Sequence, residues 1–298
     1  SMYLYDVMKG SVDASLLFHR ALDKSRLGRR HDTLESYIAS VGLGQQFHKQ
    51  TPKEFSLVII LSRDQSSDNS ANSSSLSILI GKKLRGFGAD FYTGFGGKLE
   101  NDLGELAHPS KGACREVEEE SGISIPLKTM EESFVGTINF TFEDKDKHKA
   151  MKVHLFCVFV SAQKDNNNAN IVHVDPEQIT GCDEIEPIWI HNVYELPLDQ
   201  MFADDSVWLC MLLHFYESNT EASKIIQFNA YFHFHKGGID VNSLMHYYLQ
   251  TDIQDIPSKS VVKKYSLEQR LFHALHVNHI HNPSIKEFRE AWSFANNV

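Results

Sequence analysis

The stretch Arg115-Glu116-Val117-Glu118-Glu119-Glu120-Ser121-Gly122-Ile123 constrains this chain more than any other. Glu116, Glu119 and Glu120 stand at i, i+3 and i+4, so a helix here puts three carboxylates on one side, within reach of one small volume. Like charges so placed repel and cost stability unless a cation sits among them, and hard oxygen donors suit Mg²⁺ or Mn²⁺. Val117 and Ile123 offer the apolar side that docks such a helix, and Gly122 is a natural stop. Upstream, the pair Gly96-Gly97 allows backbone to come close to a metal or a phosphate, because glycine has no Cβ. A glutamate run taken alone reads as a solvated acidic face. The sequence of G-G, R-E, E-E and then glycine plus an aliphatic residue favours the chemical reading.

The 298 residues suffice for two domains, or for one large domain with appendages. With 42% hydrophobic and 23% charged residues, wholesale disorder and fibrous classes are excluded. A net charge of -10 leaves no basic face to hold a nucleic-acid polymer, whereas a small anion can be accommodated if metal ions screen it. Cys114, Cys157, Cys182 and Cys210 lie far apart with no C-x-x-C pair, which suits a reducing compartment and reads as buried apolar side chains. No apolar run approaches the roughly 18 residues of a membrane span, so no membrane partner is expected. The expected location is cytoplasmic, with nuclear or mitochondrial placement also open. Ser1-Met2 reads as a cloning scar, and the basic stretch 18–31 as a solvated helix face.

The texture along the chain divides it into three. Residues 1–52 read as a helical extension: Asp32 and Glu35 have capping-box spacing, Leu34, Ile38 and Val41 share a face, and Gly42 and Gly44 can end the turn. Within 53–250, strands are predicted over 55–61, 76–80, 134–142, 152–160, 185–191 and 225–235, and helices over 111–121 and 204–215. The Ser/Asn-rich tract 64–75 reads as a hairpin loop. Residues 251–298 read as a second helical extension, with capping-box spacing at Ser266 and Gln269 and a helix start at Pro283 leading to Phe288, Trp292 and Ala295. Strands flanked by helices make an α+β sandwich.

The acidic segment resembles the Nudix box, G-x5-E-x7-R-E-(aliphatic)-x-E-E-x-G-(aliphatic), and its second half matches at every position. Its first half is four residues longer from Gly97 to Arg115 than the family spacing, with Gly104-Glu105 as the displaced equivalent of the lone box glutamate and His108-Pro109-Ser110 as a bulge. Further blocks resemble the animal MutT-homologue branch, whose members act on oxidised purine nucleoside triphosphates: 81–89, 92–98, 136–142, 151–156, 183–187 and 202–208. In order, they span about two thirds of the chain, residues 55–249.

The resemblance implies a Nudix fold, a mixed β-sheet sandwiched between helices, and metal-dependent cleavage of a nucleotide to monophosphate and pyrophosphate, in the service of nucleotide-pool sanitation. By the same resemblance Glu116, Glu119, Glu120, Glu184 and the Gly96 carbonyl would hold Mg²⁺ or Mn²⁺. Glu116 or Glu119 would deprotonate water, Arg115 would orient the carboxylates, and Lys83 would meet the triphosphate. The base would be received by Ser56, Phe87, Thr93, Phe140, Phe142, Met151, Phe202, Asp204, Asp205 and Trp208. Phe140 and Phe142 share a strand face, which fits either a pocket wall or a core strand. Asp204 and Asp205 fit either a helix cap or a base-reading pair in which burial raises one pKa. Thr93 and Phe202 replace the family's asparagine and tryptophan, so the favoured purine is left open.

Other readings are weaker. His273, His276, His279 and His281 are irregularly spaced for a transition-metal site, and His233 with His235 reads as a partly exposed strand pair. Two alternative functions stand beside the first: hydrolysis of another diphosphate such as a dinucleoside polyphosphate, NADH or a diphosphoinositol compound, or a Nudix-fold binding or regulatory protein. The oligomeric state is not legible.

Overall fold

The computed structural model describes residues 28–42, 52–63, 76–143, 150–162, 171–218, 224–235 and 244–255. Strand β2 (Lys53–Arg63) shows how the sheet is used. Its Ile59 and Leu61 face one apolar layer while Val58 and Ile60 face the other, so the strand is covered on both sides. Around it are β1 (Arg29–His31), β3 (Leu76–Lys83), β4 (Tyr92–Thr93), β5 (Phe134–Phe142), β6 (Met151–Ser161), β7 (Ile171–His173), β8 (Ile185–Ile190), β9 (Lys224–Phe234) and β10 (Leu244–Asp255). They form one mixed sheet in the order β1-β10-β9-β5-β6-β2-β3-β4, with β7 beside β6 and β8 beside β3. The pairs β2/β6, β5/β9 and β1/β10 are parallel.

Helices cover both faces, as expected of an α+β sandwich. On one side α4 (Asp205–Ser218) packs with the turns carrying Val193, Leu196, Leu198 and Met201. On the other lie α2 (Pro109–Ser121) and α3 (Leu127–Glu132), seated through Ala113, Val117 and Met130. The sequence places α2 well: Pro109 opens it, where a missing N–H costs nothing, and Gly122 closes it at φ 73°. α1 (Leu34–Val41) covers the far end of the α2 side, against β10.

The strands and helices expected in 53–250 form within a few residues of their expected bounds, and three points need correction. The N-terminal region is not wholly helical: β1 joins the sheet beside β10, and the cap of α1 is Thr33, whose side chain accepts from the Ser36 amide, in place of Asp32. The turn to helix expected after residue 250 is overridden by β10, which runs to Asp255 paired with β9. Local polarity hid β10, because its His246 and Tyr248 face a polar layer while Tyr247 and Leu249 enter the core. His233 is buried, not partly exposed. The tract 64–75, the 266/269 cap, Pro283 and the histidines at 273–281 lie outside the described residues. Among the described residues no helix is long and apolar enough to cross a membrane.

Candidate active site

The sheet edge where β2 and β6 begin and β3 and β5 end gathers the chemistry. β2 carries the glycine loop against it: the Ser56 amide donates to the Gly97 carbonyl at 2.9 Å, and Leu99 donates to the Glu54 carbonyl at 3.0 Å. A Cβ at Gly96 would run into the Ser56 carbonyl, and one at Gly97 would lie 2.5 Å from Glu116 Cδ. Gly96 is therefore required by the close approach of loop to strand, whereas at Gly97 the Glu116 carboxylate occupies the space a side chain would take.

Arg115 is the hub of this side. Its Nε and Nη2 donate to the two oxygens of Glu105 at 2.8 and 3.0 Å, its Nη1 lies 2.9 Å from Glu116 and 3.0 Å from Glu119, and Nη2 reaches the Lys98 carbonyl at 3.3 Å. Glu105 is 2% exposed and also accepts from the Glu100 amide at 2.8 Å. The forked hydrogen bond from Arg115 holds its carboxyl below the usual range. The lengthened loop thus returns one carboxylate to Arg115, by a route that rigid counting along the sequence could not follow.

Glu120 is buried and accepts from the Gly96 amide at 2.7 Å. Burial pushes its pKa up to about 7, partly offset by that hydrogen bond, with Glu116 and Glu184 raising it further and Lys83 opposing them. Burial also raises Glu116, against the pull of Arg115. Glu184 is exposed, its carboxylate 2.7 Å from Arg85, an arginine the sequence had not marked. Arg115 lies against Glu119 and Arg85 against Glu184, and no three acidic, histidine or cysteine side chains are gathered as one ligand cluster among the described residues. The donor chemistry nevertheless fits a hard divalent cation. Glu116 lies flush against the Gly97 backbone with Glu120 beside it, two oxygen donors whose charged forms burial disfavours.

On the α4 side the buried acids are Asp204 and Asp205. Asp205 accepts from the Phe202 amide at 3.1 Å as a cap, and Asp204 accepts from the Trp208 indole at 2.9 Å. Burial raises both carboxyls, and the Asp204 charge raises Asp205 further. Trp208 is 1% exposed and stacked on Phe228, so it meets the site through its indole N–H at the buried acid pair and presents no face to a base.

Phe140 is half-buried beside its β6 partner Met151, whereas Phe142 is a core residue stacked on Phe234. Phe202 stacks on Phe87 with centroids 5.7 Å apart and meets Phe91 edge-on. Gly88 makes room for it, since a Cβ there would lie 2.5 Å from its ring. Phe87 is 47% exposed. Lys83 ends β3, and Thr93 stands opposite Gly81 on β4. Ser56 departs from the expected grouping. It points to the α2 side, opposite Leu57 and Ile59, and its buried hydroxyl has no hydrogen-bond partner among the described residues.

No protein-family profile matches the sequence. The oxidized purine nucleoside triphosphate hydrolase of Mus musculus is 36% identical over 136 residues, a match taking in 46% of this chain and 71% of that protein. The same-named protein of Danio rerio is 34% identical over the same shares. Among solved structures, a MutT/nudix family protein from Enterococcus faecalis is 15% identical with a TM-score of 0.33, covering 53% of this chain and 50% of that one. The NUDIX domain of Shewanella oneidensis NrtR, complexed with ADP ribose, is 12% identical with a TM-score of 0.36, covering 63% and 99%.

Proposed function

The chain belongs to the Nudix hydrolases, and on that premise we propose that it hydrolyses an oxidised or otherwise modified purine nucleoside triphosphate to the monophosphate and pyrophosphate. The observation that carries this reading is the pairing of two acidic sites on one sheet edge: carboxylates laid on a glycine loop, and a buried acid pair beside aromatic rings. The first suits a polyphosphate and its cation, the second a purine edge. The names of the mouse and zebrafish relatives support the same substrate class.

In this reading Glu116, Glu119, Glu120, Glu184 and the Gly96 carbonyl would hold Mg²⁺ or Mn²⁺. Such a cation supplies neutralisation of the anhydride's charge and a lower pKa for attacking water. Arg115 keeps Glu116 and Glu119 oriented through its hydrogen bonds, and Glu105 keeps Arg115 in place. One of Glu116 and Glu119 accepts the proton from the water that attacks phosphorus, and pyrophosphate leaves in line. Lys83 meets the triphosphate. Around the base, Phe140, Met151 and Phe202 supply apolar and π surface, and the raised pKa values of Asp204 and Asp205 leave one carboxyl to donate and one to accept. Thr93 offers a single hydroxyl to the purine.

Pyrophosphate release with Mg²⁺ across 8-oxo-dGTP, 2-hydroxy-dATP, O6-methyl-dGTP, dGTP, a dinucleoside polyphosphate and NADH tests the proposal. Turnover is expected on one of the modified purine triphosphates above dGTP and is expected to stop with a chelator. Turnover confined to dinucleotides, or none with either metal, overturns it.

A further inference from the structure

The N-terminal segment 28–42 lies outside every block that resembles the family, yet it reaches the back of the base pocket. We propose that Tyr37 is a positioning residue for that pocket, its hydroxyl clamping Thr141 and so fixing the end of β5 that carries Phe140. The inference rests on the reading of Phe140 as pocket wall.

Strand β5 is unevenly held. Its pairing with β6 ends at Phe140 opposite Met151, while its pairing with β9 continues through Thr141 and Phe142. The last pairs of β5 given by the described residues are thus with β9, and contacts on the face of Thr141 bear on how this end is set. Thr141 faces away from Phe140 and Phe142, into the layer beneath α1. There its Oγ1 lies 3.2 Å from the Tyr37 hydroxyl and 2.9 Å from His233 Nδ1. Tyr37 is 0% exposed, and its ring packs against His31 and Tyr231.

The segment that delivers Tyr37 is itself anchored. β1 pairs with β10, and His31 bridges the two elements: its Nδ1 lies 3.0 Å from Ser36 Oγ and its Nε2 3.0 Å from His246 Nδ1. Burial lowers the pKa of both rings, which suits two neutral imidazoles, one donating to the other. Buried directional contacts of this kind set a single geometry where apolar packing would tolerate several. Phe140, one residue from Thr141, is thereby set in position without touching the segment.

The test compares wild type with Tyr37→Phe, which deletes only the hydroxyl, and with Thr141→Val and Thr141→Ser. Amide exchange over residues 134–142, the dissociation constant for 8-oxo-dGMP, and KM with kcat are measured. Tyr37→Phe is expected to speed exchange over 134–142 and to weaken nucleotide binding about fivefold, as loss of one buried hydrogen bond implies, and Thr141→Val, which also loses the contact with His233, at least as much. KM is expected to rise with kcat unchanged, and Thr141→Ser to retain wild-type values. Unchanged exchange and KM in Tyr37→Phe, or an equal fall in kcat, overturn the proposal. If wild type binds no purine nucleotide, the pocket reading has failed, and exchange over 134–142 alone decides whether the clamp exists.

Discussion

The molecule holds two acidic clusters on one sheet edge and gives them different partners. On α2 the carboxylates meet a cation: Arg115 touches Glu105, Glu116 and Glu119, and Glu119 is exposed. At the start of α4, Asp204 and Asp205 are buried, and the Trp208 indole and the Phe202 amide, both neutral, donate to them. The hydrogen bonds from Arg115 lower the pKa of Glu105 and oppose the rise that burial imposes on Glu116, while at Asp204 and Asp205 desolvation acts with no cation against it among the described residues. A cluster with a cation and an open side can exchange partners for a metal. A dry pair without one instead keeps a proton, and a protonated carboxyl can donate a hydrogen bond to a base.

The contrast breaks most readily at α2. Glu116→Gln removes a charged donor but little volume, and kcat/KM for pyrophosphate release is expected to fall about 10²–10³-fold, the scale of losing one electrostatic contact to a transition state. A fall of less than threefold would place the chemistry elsewhere. Next comes stability. Arg115→Ala leaves Glu105 buried and uncompensated, and denaturant unfolding is expected to show a loss of about 3 kcal/mol, with Glu105→Gln in the same background recovering part of it. No recovery would mean that Arg115 acts through packing.

At α4 the expected effect is on affinity. Asp204→Asn and Asp205→Asn should each weaken binding of an oxidised purine nucleotide about tenfold, by mispairing one donor or acceptor, with kcat little changed. Unchanged Kd in both variants would return the pair to a purely structural role. The smallest effect is one of pH. The folded-state pKa of Asp205 lies above its unfolded value, so its charged form costs stability as pH rises past the ordinary carboxyl range, and the cost is absent below it. Asp205→Asn should therefore raise Tm at pH 7.5 by about 3 °C, the equivalent of about 1 kcal/mol, and leave it unchanged at pH 3.5. A gain equal at both pH values would separate the effect from ionisation.

By itself the sequence determined the helix of α2, because spacing at i, i+3 and i+4, Pro109 at one end and Gly122 at the other are local rules. It determined most of the central strands for a similar reason, since short apolar runs bounded by polar and turn residues are a local signal. It also marked Glu105 as the displaced carboxylate, though only the folded loop shows the fork from Arg115. Tertiary structure alone decided which side of a strand meets which partner. Ser56 went to the α2 face away from Phe140, Trp208 became a support for Asp204, and β10 formed against its own polarity because β9 paired with it. Tyr37 against Thr141 and Arg85 against Glu184 had no local signal, for such contacts join residues about a hundred positions apart and depend on where the sheet brings them together.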